Sequence, residues 1–415
     1  MSYIERQIKE KYKNKVYVLN SDVNKAKYTY DGVDICGKRL AKDIEATVAQ
    51  LEKKGKIVKK ISIIGYSLGG LIVRFAIGVL GQKGFFDTIE PDYFITFATP
   101  HIGVKVPSPS TFYRIFNFIS GRLVSRSGEQ LQLIDVFDEK TGKPVLEVMS
   151  DPDQVYFRTL SKFKTRRIYA NIANDATVPY WTAGIEVRDY FQNHKGKLDI
   201  LVDDDYISLV NSFDIRGPNY KKRENRQKMS TKYHIIRYAL FCLSPILVPL
   251  WLTFVISFVG TQGLISRYRV SQLLREKHDS ERDPLQRKPS FSDRYIDGNI
   301  LAGALDAVNL PGEERDEPGI ASEEGTPVPD KDRIRKFDYH LEPGKLLLKQ
   351  SKPLAFDKTT KHMYDNLNQL EWERVWVYIR LFNAHGGIIC RQKVYEVDGG
   401  KATIQHFLDT THLSL

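Results

Sequence analysis

The chain has 415 residues, enough for one large domain or two smaller ones, and its 42% hydrophobic and 27% charged content excludes a disordered or fibrous protein. Lys and Arg number 62 against 51 Asp and Glu, a net charge of +11 that suits an anionic partner; without zinc-type Cys/His spacing, an RNA-binding motif or a basic helix interleaved with stacking aromatics, that partner is expected to be a lipid surface and not nucleic acid. Three scattered cysteines, Cys36, Cys242 and Cys390, exclude a disulfide framework and point to a reducing compartment.

The first residues, Met1 to Gln7, are charged and lack the apolar run of a signal peptide, so the protein is not expected to be secreted. Lys15–Leu19 is a short β-rich run that predicts a strand. Residues 38–54 have helical spacing, with Leu40, Ile44, Val48 and Leu51 on one stripe. Lys60–Gly65 predicts a buried strand and Leu68–Leu80 the helix that follows. Asp92–Thr99 and Arg166–Ala173 predict two further strands. This alternation over residues 1–230 predicts a mostly parallel sheet with helices on both faces.

From Tyr238 to Ser266 no charged residue occurs, a stretch longer than the roughly 20 apolar residues that cross a bilayer. Pro245 and Pro249 interrupt it, and both flanks are basic, with Lys228 and Lys232 before and Arg267 and Arg269 after. A span concentrates Lys and Arg on one side only. The segment over 231–278 is therefore expected to enter and leave a membrane by one face, as a monotopic hairpin. Residues 279–335, rich in Asp, Glu, Pro, Gly and Ser, predict a disordered linker. Over 336–415 the chain turns globular again, with a helical run at 361–371 and a strand at Trp376–Leu381.

The sharpest chemical signal is Gly65-Tyr-Ser67-Leu-Gly69-Gly70, a Gly-x-Ser-x-Gly between an apolar strand and a helix. That context is a nucleophile elbow, in which glycines two before and two after the serine let the backbone fold tightly and lift the hydroxyl above the sheet. The backbone N–H of Leu68, after the nucleophile, is the expected oxyanion donor. A serine needs a base and an acid to orient it, in the chain order Ser, acid, His. Asp175 follows a predicted strand and begins a turn, whereas Asp151, Asp153 and Asp203 lack a clear preceding strand. Of nine histidines, order removes His101, and Thr99–Gly103 reads as pocket wall. His385, on a glycine-containing loop after a strand, is the expected base; His406 and His412 fall on a helix and a tail. No metal motif occurs, and no cofactor is expected.

With these residues, the chain resembles the fungal serine esterase family of α/β-hydrolase lipases, most closely its lipid-droplet phospholipase branch. The likeness lies in Gly65–Phe75, Phe94–Gly103, Ala173–Tyr180, the uncharged segment and Asn383–Arg391. The resemblance implies an α/β-hydrolase fold and a Ser67–Asp175–His385 triad. It also implies a glycerophospholipid or acylglycerol substrate and a lipid-droplet or cytoplasmic-face membrane location. Members of that family open with a strand ending in His-Gly, which supplies a second oxyanion donor worth about 2.7–4 kcal/mol. Residues from Met1 onward contain no such segment, and the expectation is a truncated form of a working enzyme. The alternatives are a lipid acyltransferase using the same triad and a catalytically impaired lipid-surface scaffold.

Overall fold

The computed structural model describes residues 1–107, 125–191, 197–216, 337–381 and 383–413, together with residues 263–272 and a few positions just before them. In chain order the first elements are α1 (Ser2–Tyr12), α2 (Val33–Lys53), β1 (Lys60–Tyr66), α3 (Leu68–Gln82) and β2 (Glu90–Phe97). There follow α4 (Arg126–Leu131), α5 (Val145–Ser150), α6 (Val155–Ser161), β3 (Thr165–Asn171) and α7 (Tyr180–Gly184). A hairpin of β4 (Leu198–Val202) and β5 (Val210–Ile215) comes next, and then a helix over 263–272, α8. The last elements are α9 (Lys345–Gln350), α10 (Lys358–Leu367), β6 (Glu373–Val377), α11 (Ala384–Gly387) and α12 (Asp398–Thr410).

The main sheet is four-stranded in the order β1-β2-β3-β6, and every pairing is parallel. Its strands are apolar on both faces because both faces are covered. Phe94, Ile168, Ala170 and Trp376 point into one core with α2, α3 and α10. Their neighbours Ile95, Phe97, Tyr169, Val375 and Val377 point into a second core with α1 and α12. The expectation of a mostly parallel sheet with helices on both faces is therefore met, and the fold is of the α/β class. The final strand joins the sheet by pairing with β3, Tyr169 opposite Val375, across a long stretch of chain. Among the described residues β1 is an outer strand of this sheet.

Several local expectations need correction. Val16–Leu19 forms no strand; Val16 and Val18 instead pack on the second core as irregular chain. Helix α2 begins five residues earlier than its periodicity suggests, after Gly32 at φ 102°. The last strand stops at Val377 and not at Leu381, because the Tyr378 N–H turns away to the carbonyl of Ser208. The β4–β5 hairpin was not foreseen, so Asp203 does follow a strand. Its carboxylate accepts from the N–H groups of Asp205 and Tyr206 and from Asn211, which makes it a turn-forming residue. The linker over 279–335 and most of the uncharged stretch lie outside the described residues. No helix among the described residues is long and apolar enough to cross a membrane.

Candidate active site

Each parallel strand delivers the following segment to the same end of the sheet, so chemistry collects at the strands' carboxyl ends. At the end of β1, Ser67 has φ 52° and ψ −130°, a left-handed conformation that a non-glycine residue holds only under tertiary constraint. The constraint is visible: the Ser67 N–H donates to the carbonyl of Phe97 at the end of β2, and the Ser67 carbonyl accepts from Gly70 N–H. The turn opens directly into α3, so the N–H of Leu68, its first residue, has no acceptor within the helix. A helix N-terminus of this kind favours developing negative charge.

Two glycines make the bend possible, and they are not both the expected ones. A Cβ on Gly65 would lie 2.4 Å from the Cα of Gly70, and one on Gly70 would lie 2.0 Å from the Thr99 hydroxyl oxygen. A Cβ on Gly69 would meet nothing within 4 Å. Close packing of the helix against the turn thus rests on Gly65 and Gly70, and Gly69 has no steric requirement.

His385 comes from the far end of the chain. It lies in the single-turn helix α11, not on an open loop, where the Asn383 side chain accepts from its backbone N–H at 3.1 Å. Its Nε2 is 2.9 Å from Ser67 Oγ, and its Nδ1 is 2.9 Å from Asp175 Oδ2. A carboxylate oxygen can only accept, so Nδ1 carries the proton and the Nε2 lone pair faces the serine hydroxyl. Both side chains are shielded, with 8% of the His385 side chain and 3% of the Asp175 side chain exposed. Asp175 is fixed through its other oxygen, which accepts from the N–H groups of Thr177 and Val178.

Three supporting residues carry no signal in the sequence. Asn171, the last residue of β3, donates from Nδ2 to Asp175 Oδ2 at 3.0 Å and to the Ala384 carbonyl at 3.3 Å, bridging Asp175 and the residue before His385. Asn174, at φ 59°, accepts from Ala384 N–H and donates to the Ile379 carbonyl. Tyr66, inside the elbow, donates its hydroxyl to the His385 carbonyl at 3.0 Å and sets its ring 5.0 Å from the imidazole. A variable position of a short motif gives no reason to single it out.

His101 is not pocket wall. Its ring is fully buried against Trp372 at 5.5 Å, with Nε2 2.9 Å from the Thr96 hydroxyl. Its carbonyl accepts from the buried Arg74 at 3.0 Å. Burial pushes the His101 imidazole well below its usual range and the Arg74 guanidinium down to about 9. The pair belongs to the core beneath the elbow. Of the other candidates set aside, Asp151 pairs with Lys143 at 3.0 Å and Asp153 sits beside it in a surface turn. His406 is buried in α12 against Tyr169. No group of three or more His, Cys, Asp or Glu that could hold a metal ion occurs among the described residues.

A strained serine after a parallel strand, with a histidine and an aspartate in line, is the arrangement of a serine hydrolase. Residues 1–187 match the family described as putative serine esterase (DUF676). The chain is 30% identical to Putative lipase C4A8.10 of Schizosaccharomyces pombe over 192 residues, covering 45% of this chain and 24% of that protein. It is 35% identical to Putative lipase ROG1 of Saccharomyces cerevisiae over 164 residues, covering 39% of this chain and 22% of that protein. The matched region therefore spans about a quarter of the length of these relatives. No solved structure matches.

Proposed function

We propose that this chain is a serine lipase or phospholipase of the α/β-hydrolase type, cleaving acyl esters of glycerolipids through an acyl-serine intermediate. The observation that carries the reading is the pair of hydrogen bonds on either side of the His385 ring, Nε2 to Ser67 Oγ and Nδ1 to Asp175 Oδ2, each 2.9 Å. In this reading Ser67 attacks the ester carbonyl while His385 takes its proton, and the oxyanion leans on the Leu68 N–H. His385 then returns the proton to the departing alcohol, leaving Ser67 acylated. Water, deprotonated by the same imidazole, releases the fatty acid. Asp175 keeps Nδ1 protonated and steadies the imidazolium that forms twice per cycle.

A lipid acyl ester is favoured because the relatives carry the name lipase and because a basic chain with a long uncharged stretch suits an anionic lipid surface. The same features support a location on a lipid droplet or a cytoplasmic-face membrane, through a monotopic segment within 238–266. The test is labelling by a fluorophosphonate probe followed by product analysis on phosphatidylcholine and triacylglycerol emulsions. Labelling at Ser67 with release of free fatty acid is expected. A folded preparation that neither labels nor releases fatty acid would sink the proposal.

A further inference from the structure

Helix α8 is the described end of the uncharged stretch, and it is fastened to the body of the protein at the buried Asp31 carboxylate and by an Arg267–Glu129 ion pair of 2.8 Å. Asp31 is fully buried, just before α2. Its oxygens accept from the Ser266 hydroxyl at 2.7 Å, from Arg39 at 2.6 Å and from Arg269, whose Nε lies 3.2 Å away. The guanidinium groups of Arg39 and Arg269 both sit over the Tyr28 ring, at 5.2 and 4.9 Å. Two cations and a hydroxyl are what a desolvated carboxylate needs to stay buried, so this attachment is specific and not a chance approach. Val270 is 4% exposed and Ser266 1% exposed; with Gly263, also buried, they form the inward stripe at helical spacing.

The outward side carries three large apolar side chains beside the exposed Arg267, Ser271 and Gln272. Leu264 is 70%, Ile265 47% and Tyr268 67% exposed, three large side chains at i, i+1 and i+4. Such clustering on a protein surface marks a docking site, unlike scattered single apolar residues.

The register of α2 against α3 says where this face lies. Gly37 packs on Phe75, and Glu45 pairs with Lys83 eight residues further along both helices, so α2 and α3 run side by side in the same direction. Val33, at the start of α2, is then level with Leu71, about 6 Å along the axis from Ser67 at 1.5 Å per residue. Asp31 and the helix it holds accordingly stand at the end of the sheet where Ser67 emerges.

We propose that Leu264, Ile265 and Tyr268 form a lipid-docking face on the rim of the Ser67 site, and that its partner is an anionic phospholipid surface. This rests on the esterase reading above for its biological sense, but its test does not depend on catalysis. A lipid is favoured over a protein partner because the 29 residues ending at Ser266 carry no charge and run directly into this face. Basic residues bracket them, Lys228, Lys232 and Arg237 before and Arg275 and Lys277 after, which suits anionic headgroups. A tyrosine at the boundary, apolar in its ring and polar at its tip, fits an interface.

The experiment is co-flotation of the full chain with vesicles of mixed phosphatidylcholine and phosphatidylserine, comparing wild type with the triple variant Leu264→Gln, Ile265→Gln, Tyr268→Gln. These side chains are exposed, so folding should survive, and fluorophosphonate labelling together with hydrolysis of a soluble short-chain ester report whether it has. The expected result is a loss of vesicle binding of about tenfold or more. Vesicle binding equal to wild type would overturn the proposal, as would failure of the wild type to float. A wild-type dimer that the triple variant dissociates, without lipid dependence, would assign the face to self-association and also overturn it. Leu264-dependent flotation in a protein that hydrolyses nothing would uphold the docking face and sink only the esterase reading.

Discussion

His385 Nε2 lies 2.9 Å from Ser67 Oγ across 318 positions of sequence. The contact is made because β6, which ends eight residues before the histidine, pairs in parallel with β3, which ends four residues before Asp175. One strand pairing therefore delivers both the imidazole and the carboxylate to the sheet end where β1 delivers the serine. Asn171 and Asn174 then tie the two delivered loops together through the carbonyl and N–H of Ala384.

Ser67→Ala is expected to abolish fluorophosphonate labelling and reduce ester hydrolysis by about 10⁴-fold or more. Alanine keeps the elbow turn's backbone bonds to Phe97 and Gly70, so the melting temperature should stay close to wild type. Activity assay and thermal melt on the same preparation check both halves.

Asp175→Asn is expected to lower kcat by about 10⁴-fold, since an amide can present its donor to Nδ1 and select the wrong tautomer. The other oxygen still accepts from Thr177 and Val178, so the turn persists. Stopped assays on a soluble ester with circular dichroism as control would show a lost rate in an intact fold.

Gly70→Ala and Gly69→Ala should behave oppositely. At position 70 the added methyl meets Thr99 at 2.0 Å, and overpacking of this kind costs about 1–3 kcal/mol. At position 69 it meets nothing, and a helical alanine is better than glycine by about 0.5–1 kcal/mol. Thermal melts should fall for the first and hold or rise for the second, with Ser67 labelling kept in Gly69→Ala.

Acid should weaken the fold partly through His406. Burial, reinforced by Arg167, lowers this imidazole from 6.5 to about 3, so it is neutral when folded while the unfolded chain takes up its proton below about 6.5. Stability from this residue is full above pH 6.5 and falls as pH drops from there toward 3, at about 1.4 kcal/mol per pH unit. Urea midpoints measured across that window should flatten in His406→Gln, even though Tyr169 retains a polar partner.

The elbow and the alternation of strand and helix were legible because both are local. A Gly-x-Ser-x-Gly after Ile61, Ile63 and Ile64 can only be a turn at a strand end, and a run apolar on every residue fits a strand buried on both sides. Chain order and a flanking strand singled out Asp175 and His385, both of which the structure brings to Ser67. Signals that depend on what lies opposite were not legible. Lys15–Leu19 reads as a strand but finds no strand to pair with, and Gly69 looks required until the neighbour at Gly70 proves to be Thr99. His101 resembles a site residue, yet Trp372, from far along the chain, seals it into the core.

What the sequence by itself determined is the position of the serine turn and the class of fold, since backbone periodicity and a strained turn need only near neighbours. Tertiary structure alone decided which residues steady the histidine and that Asp31 fastens α8 to the body of the protein. Those choices follow from parallel strand register and from buried charge seeking opposite charge, and neither quantity exists until distant segments share one interior.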